Sequence, residues 1–176
     1  NPAPIARDHF QAVQYGDKVY LAGGRRTNYF GNTFTGMVAQ VDVYDLVNDS
    51  WSTLTDPLPT PRAGTFSAIF NHPSHGDVLA TIGGETTRGP AYDETEGVKL
   101  SDDSVLPPGT LASLNQRRHG TQVIANGNQL FVAAGAGSNK GGNELDPVDP
   151  FFMERYDAGN PSSLSLPAIT PSSLQP

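Results

Sequence analysis

The sequence predicts an all-β protein of repeated antiparallel units, and three observations predict it. Arg7-Asp8-His9, Arg62-Ala63-Gly64 and Arg118-His119-Gly120 recur at intervals of 55 and 56 residues. Each triplet is followed by two apolar alternating runs, the second of which ends in small residues. With 19 glycines, 15 prolines and only 16% charged residues in 176, the composition disfavours long exposed helices. A fixed period of this kind precedes any local reading, because each repeat is one supersecondary unit.

The first strand of each unit is expected in Phe10 to Gln14, Thr65 to Phe70 and Thr121 to Ala125. The second is expected in Lys18 to Gly24, Val78 to Gly84 and Gln129 to Gly137, on period-two alternation and β-branched content. Tyr15-Gly16-Asp17, Asn71 to Asp77, and Asn126-Gly127-Asn128 have the composition of hairpin loops. A third strand is expected in Val38 to Asp45 and in Phe151 to Asp157, closing on Tyr44-Asp45 and Tyr156-Asp157. In the second unit Tyr92-Asp93 is out of phase, and Thr95 to Leu100 reads as a degraded third strand. The fourth strand is Trp51 to Leu54 in the first unit, with Val105-Leu106 standing in for the tryptophan in the second. The third unit has no tryptophan near Ser162, so no clear fourth strand is expected there, and Gly135-Ala136-Gly137 replaces its glycine pair. Four short antiparallel strands per unit of about 50 residues, with a glycine pair after the second, describe a propeller blade rather than a sandwich.

Arginine, then Gly-Gly, then Tyr-Asp, then tryptophan, then Leu-Pro-x-Pro-Arg is an order that resembles the kelch repeat; the first unit, Arg7 to Pro61, carries all of it. The resemblance covers residues 7 to 157 and divides the chain into blade 1 (1–61), a degenerate blade 2 (62–117), a partial blade 3 (118–160) and a Pro/Ser-rich tail or linker (161–176). It implies a scaffold role for Arg7, Gly23, Gly24, Tyr44, Asp45, Trp51, Arg62, Gly83, Gly84, Arg118, Gly135 and Tyr156. The arginines and the tryptophan are expected to pack and hydrogen-bond between blades, and the glycine pairs to let blades approach without a Cβ in the way. Closed propellers need about 4 to 8 blades. The three blades here are therefore expected to be part of a ring of six or seven, completed by a longer polypeptide, by copies or by a partner chain.

Charge and composition narrow the function. Net charge is −7 with no basic stripe, which argues against nucleic acid or an anionic membrane surface as the main partner. No stretch approaches 18 apolar residues, so no membrane insertion is expected. The absence of cysteine excludes disulfides, thiolate zinc sites and thiol nucleophiles within these residues. No nucleophile elbow, phosphate-binding glycine loop, dinucleotide fingerprint or His-Glu-x-x-His is present. The kelch-like family that does chemistry resembles galactose oxidase, whose copper site needs a cysteine crosslinked to tyrosine. Without cysteine, that site would have to lie outside this chain.

In each blade the residues before the first strand and those after the glycine pair emerge at the same end. That end gathers the candidate ligand-binding loops: Arg25, Arg26, Asn28, Tyr29 and Phe30; Glu85 and Arg88; Arg117 and His119; Asn139 and Lys140. Arginines beside aromatic and amide groups suit an acidic peptide or a polar sugar. Glu144, Asp146 and Asp149 concentrate hard oxygen ligands in one loop and make calcium a candidate cofactor, with no EF-hand spacing behind it. The expected function is a non-catalytic module of a larger secreted or surface protein, binding a protein partner, further blades or a glycan. The alternatives are a segment of a carbohydrate-active propeller enzyme and a structural subunit of an extracellular assembly. Few lysines and Gly/Asn/Thr/Ser-rich loops point to an extracellular, cell-surface or periplasmic setting.

Overall fold

A computed structural model describes residues 1–27, 35–87, 89–139, 153–157 and 160–165. Three four-stranded antiparallel sheets follow one another along the chain. The first holds β1 (Ala12–Tyr15), β2 (Lys18–Ala22), β3 (Val41–Asp45) and β4 (Ser50–Thr53) in that order. The second holds β5 (Phe66–His72), β6 (Gly76–Ile82), β8 (Thr95–Lys99) and β9 (Ser104–Val105), with the two-residue β7 (Gly89–Pro90) in its β6–β8 connection. The third holds β10 (Gln122–Asn126), β11 (Gln129–Ala133), β13 (Met153–Asp157) and β14 (Asn160–Ser165); β12 (Ser138–Asn139) pairs with β7 across the second and third blades.

β14 corrects the expectation for the third unit. It pairs with β13, so the fourth strand exists and the tail boundary at 160/161 falls inside it. Its Pro/Ser composition reads as a linker, yet an outermost strand tolerates proline because one side of its backbone needs no ladder partner.

Period two in a strand caught between two blades divides its side chains between two cores. Along β6, Val78, Ala80 and Ile82 join a core with Phe70, Leu130, Val132 and Tyr156, shared with blade 3. Leu79 of the same strand joins a core with Tyr20, Ala22, Val41, Val43, Val98 and Leu100, shared with blade 1. Both faces are buried, which is why this strand reads as a nearly unbroken apolar run.

The side chain of each head arginine is buried and tied to its own blade. Arg62 donates to the carbonyls of Gly83 (2.8 Å) and Glu94 (2.9 Å) and pairs with Glu96 at 2.6 Å. Arg118 donates to the carbonyl of Ala134 (2.9 Å) and pairs with Glu154 at 2.8 Å. Arg7 donates to the carbonyls of Gly23 and Gln40, both at 2.8 Å, and pairs with Asp42. The expectation of arginine bonds between blades is thus corrected: each guanidinium pins the end of strand two to the start of strand three within one blade. Trp51 is likewise local, with its ring 4.9 Å from Tyr44 and its indole N–H donating to the Asn1 carbonyl. The knots of blades 2 and 3 lie on the face turned to the preceding blade, where N–H groups of the incoming connection (Thr60; Asn115 and Gln116) donate to the carboxylates. Burial lowers the pKa of all three arginines, opposed by the adjacent carboxylates. Removing one member of such a pair leaves an uncompensated buried charge, at a cost of about 3–5 kcal/mol.

A repeated backbone bond joins the blades at the glycine pair. Gly24 N–H donates to the Arg62 carbonyl at 2.8 Å, and Gly84 N–H to the Arg118 carbonyl at 2.9 Å. Space there is minimal: a Cβ on Gly23 would lie 2.8 Å from the Arg62 oxygen, and one on Gly83 closer still to the Arg118 oxygen. Gly23, Gly83 and Ala134 have φ values of 70°, 57° and 56°, and each offers its carbonyl to its own blade's arginine. Ala134-Gly135, rather than Gly135-Ala136-Gly137, is therefore the third unit's counterpart of the glycine pair. The sequence misleads because alanine stands at a left-handed position that normally favours glycine.

Candidate functional site

The end of the blades where the head triplets meet the post-glycine loops forms a mouth. Isolated bridges repeat there: Asp8 with Arg25, Ala63 with Glu85, His119 with Ala136. The third residue of each head triplet is left-handed, with φ of 57° at His9, 57° at Gly64 and 61° at Gly120. This turn allows Gly64 N–H to donate to the His9 carbonyl and Gly120 N–H to the Gly64 carbonyl, both at 2.8 Å, so the heads are stitched to one another.

A line of polar side chains crosses the mouth. Thr27 donates to Asp8 at 2.8 Å, and His9 Nδ1 lies 2.6 Å from the same carboxylate oxygen. Arg25 donates to His9 Nε2 at 2.9 Å and to Glu85 at 2.6 Å, the latter bond joining blade 1 to blade 2. Arginine only donates, so His9 Nε2 accepts and the ring in this arrangement is the neutral tautomer with its hydrogen on Nδ1. His119 Nδ1 lies 4.0 Å from Glu85, and its Nε2 lies 3.1 Å from the Ser138 carbonyl. Burial pushes the Asp8 carboxyl up, but hydrogen bonds from Thr27 and His9 outweigh it and hold the group below the usual carboxylate range. Beside this line, Ala6, Arg7, Asp8, Arg25, Arg26 and Thr27 line an open depression of about 330 Å³.

This geometry corrects two of the candidate ligand residues. Arg25 and Glu85 are 5% and 4% exposed and hold one another between blades, so they build the platform and do not reach for a ligand. Arg26 is half-buried, with its N–H donating to the Gly36 carbonyl; His119 is half-buried and Arg117 is exposed. The backbone of Asn139 pairs with Gly89. Asn28, Tyr29, Phe30, Arg88 and Lys140 lie outside the described residues, as do Glu144, Asp146 and Asp149. Among the described residues no group of three or more His, Asp or Glu is placed to hold a metal ion.

Sequence reading missed the carboxylates of the knots, Asp42, Glu96 and Glu154. A signal for them exists: they follow their arginines by 35, 34 and 36 residues, the same period that carries the arginines.

Comparison with known proteins agrees with this architecture. No family model matches the chain. Kelch-like protein terF of Aspergillus terreus is 37% identical over 85 residues, covering 48% of this chain and 16% of that protein. Beta-scruin of Limulus polyphemus is 28% identical over 172 residues (89% of this chain, 17% of that protein). Kelch-like protein 25 of Homo sapiens is 28% identical over 137 residues (75% and 21%). The solved structure of YjhT superposes with a TM-score of 0.65 at 13% identity, covering 94% of this chain and 53% of that one. The chain thus spans about a fifth or less of these curated relatives and about half of that solved chain.

Proposed function

Because the chain is a three-blade segment of a kelch-type β-propeller, we propose that it is a non-catalytic binding module that docks a protein partner on its mouth. The observation that supports this reading is the stitched line from Asp8 through His9, Arg25 and Glu85 to His119, which makes a connected platform at the mouth. Loops on rigid scaffolds are where recognition residues are placed. Kelch-type propellers commonly bind protein partners, in keeping with the relatives found. Exposed Arg117, next to the platform, suits a carboxylate of the partner through a bidentate contact. The parent protein is read as extracellular, surface-bound or periplasmic on its loop composition, and a glycan is a second ligand class compatible with the same arginine.

Selection of a random peptide library on the protein tests this. Enriched peptides should be acidic and should lose about tenfold or more in affinity with Arg117→Glu, while Asp102→Asn at the other end of the blades leaves them unchanged. Enriched peptides indifferent to Arg117→Glu would overturn the assignment of the mouth.

A further inference from the structure

Glu85, in blade 2, stands between two groups of different character. On one side Arg25 of blade 1, a permanent cation, donates to Glu85 Oε1 at 2.6 Å. On the other side His119 of blade 3 brings Nδ1 to 4.0 Å from Glu85 Oε2, and this ring is a cation only after taking up a proton. Gly64 borders both: a Cβ there would lie 3.4 Å from Glu85 Cγ and 3.5 Å from His119 Cβ. Glycine at that place therefore leaves the carboxylate and the ring room to approach.

The hydrogen bonds around the two mouth histidines fix what a proton does to each. A carbonyl only accepts, so His119 Nε2, 3.1 Å from the Ser138 oxygen, carries the hydrogen. The neutral ring thus turns a bare Nδ1 toward a carboxylate, two acceptors facing one another. A proton on Nδ1 makes this a donor facing an acceptor of opposite charge, and closing the 4.0 Å gap forms a charge-assisted bond.

His9 responds in the opposite way. Its neutral ring donates through Nδ1 to Asp8 at 2.6 Å and accepts from Arg25 at 2.9 Å. A proton on Nε2 sets two donors and two positive charges against each other. Arg25 then leaves the ring, while the bond to Asp8 gains from the new charge. The His9 side chain is half-exposed, so solvent protons reach it. The other charged groups described at the mouth are Arg26, beside Arg25, and exposed Arg117; Arg118 turns its guanidinium to Glu154. Acid therefore removes one of the groups that hold Arg25 in place and offers Glu85 a second cation in the next blade.

We propose that Glu85 is a pH-operated latch: at neutral pH it ties blade 2 to blade 1 through Arg25, and on acidification it turns to His119 and ties blade 2 to blade 3. The proposal rests on the geometry within the mouth and not on what docks there.

Two stitching amides test it. Gly64 N–H joins blade 2 to blade 1 at the His9 carbonyl, and Gly120 N–H joins blade 3 to blade 2 at the Gly64 carbonyl. Native-state hydrogen exchange of the whole chain, corrected for intrinsic rates, is compared at about pH 7.5 and about pH 5, across the range in which histidine changes charge. The protection of Gly64 relative to Gly120 should fall about fivefold or more on acidification. His119→Gln keeps a donor for the Ser138 carbonyl and takes up no proton, so most of that fall should disappear in it. Imidazole nitrogen spectra of the unaltered protein at neutral pH give a second reading: His9 should carry its hydrogen on Nδ1 and His119 on Nε2. An unchanged ratio, an equal fall in His119→Gln, or the reverse tautomer at either ring would overturn the latch.

Discussion

The two seams use the same joint and different mortar. Each carries one glycine N–H to arginine carbonyl bond, at 2.8 and 2.9 Å. Around the first, an apolar core with Tyr20, Val43, Leu79 and Val98 is ringed by polar ties between blades 1 and 2: Arg25 to Glu85, Tyr15 to Asp77, and Lys18 and Tyr20 to Asp103. Around the second, apolar groups dominate, with Phe70 edge-on to Tyr156 at 5.8 Å and Leu106, Leu111 and Leu114 sealing the space. The exposed or half-exposed ties among these, Tyr15 to Asp77 and Lys18 to Asp103, contribute little each, typically up to about 1 kcal/mol, while a fully buried aliphatic or aromatic side chain contributes about 1.5–3 kcal/mol. The repeated backbone bond therefore sets the geometry of the joint, and the packing around it sets its strength.

The largest expected effect tests what the seams share. Glu96→Ala and Glu154→Ala each leave a buried arginine without its carboxylate, and each should lose about 3–5 kcal/mol in urea unfolding. A loss under 1 kcal/mol at either site would remove the knot from the account. The next prediction separates the seams. Leu111→Ala should cost about 2–4 kcal/mol by opening a cavity in the apolar seam, whereas Tyr20→Phe, which deletes one polar tie of the other, should cost about 0.5–1.5 kcal/mol. Equal costs would erase the contrast. Ala134→Gly should act with the opposite sign, stabilising by about 1 kcal/mol through relief of a left-handed alanine. The smallest effect concerns pH. Hydrogen bonds from Lys99 and Ser104 lower the pKa of exposed Asp102 to about 2. Because the folded pKa lies below the unfolded one, its contribution is present above about pH 4 and disappears as the pH falls toward 2. Asp102→Asn should flatten the acid limb of the stability curve in that window only.

The repeat was legible because its markers are chemically distinctive: a head arginine, small residues after strand two, an aromatic ending strand three. The carboxylates were not, although they share the period. Asp42 alternates with Val41 and Val43, a pattern that usually places the polar residue in water, but its carboxylate is buried against Arg7. Arg25 and Glu85 were read as loop residues because nothing local marks a pair 60 residues apart. β14 escaped because proline and serine serve an outermost strand as well as a linker.

The central claim is that equivalent joints differ in strength because one seam is sealed by apolar packing and the other surrounds its apolar core with polar ties and an open cavity. Native-state hydrogen exchange of two amides tests it directly. Gly24 N–H spans the seam between blades 1 and 2, and Gly84 N–H spans that between blades 2 and 3. Gly84 should be protected at least about tenfold more strongly than Gly24. Equal protection, or stronger protection at Gly24, would contradict the account.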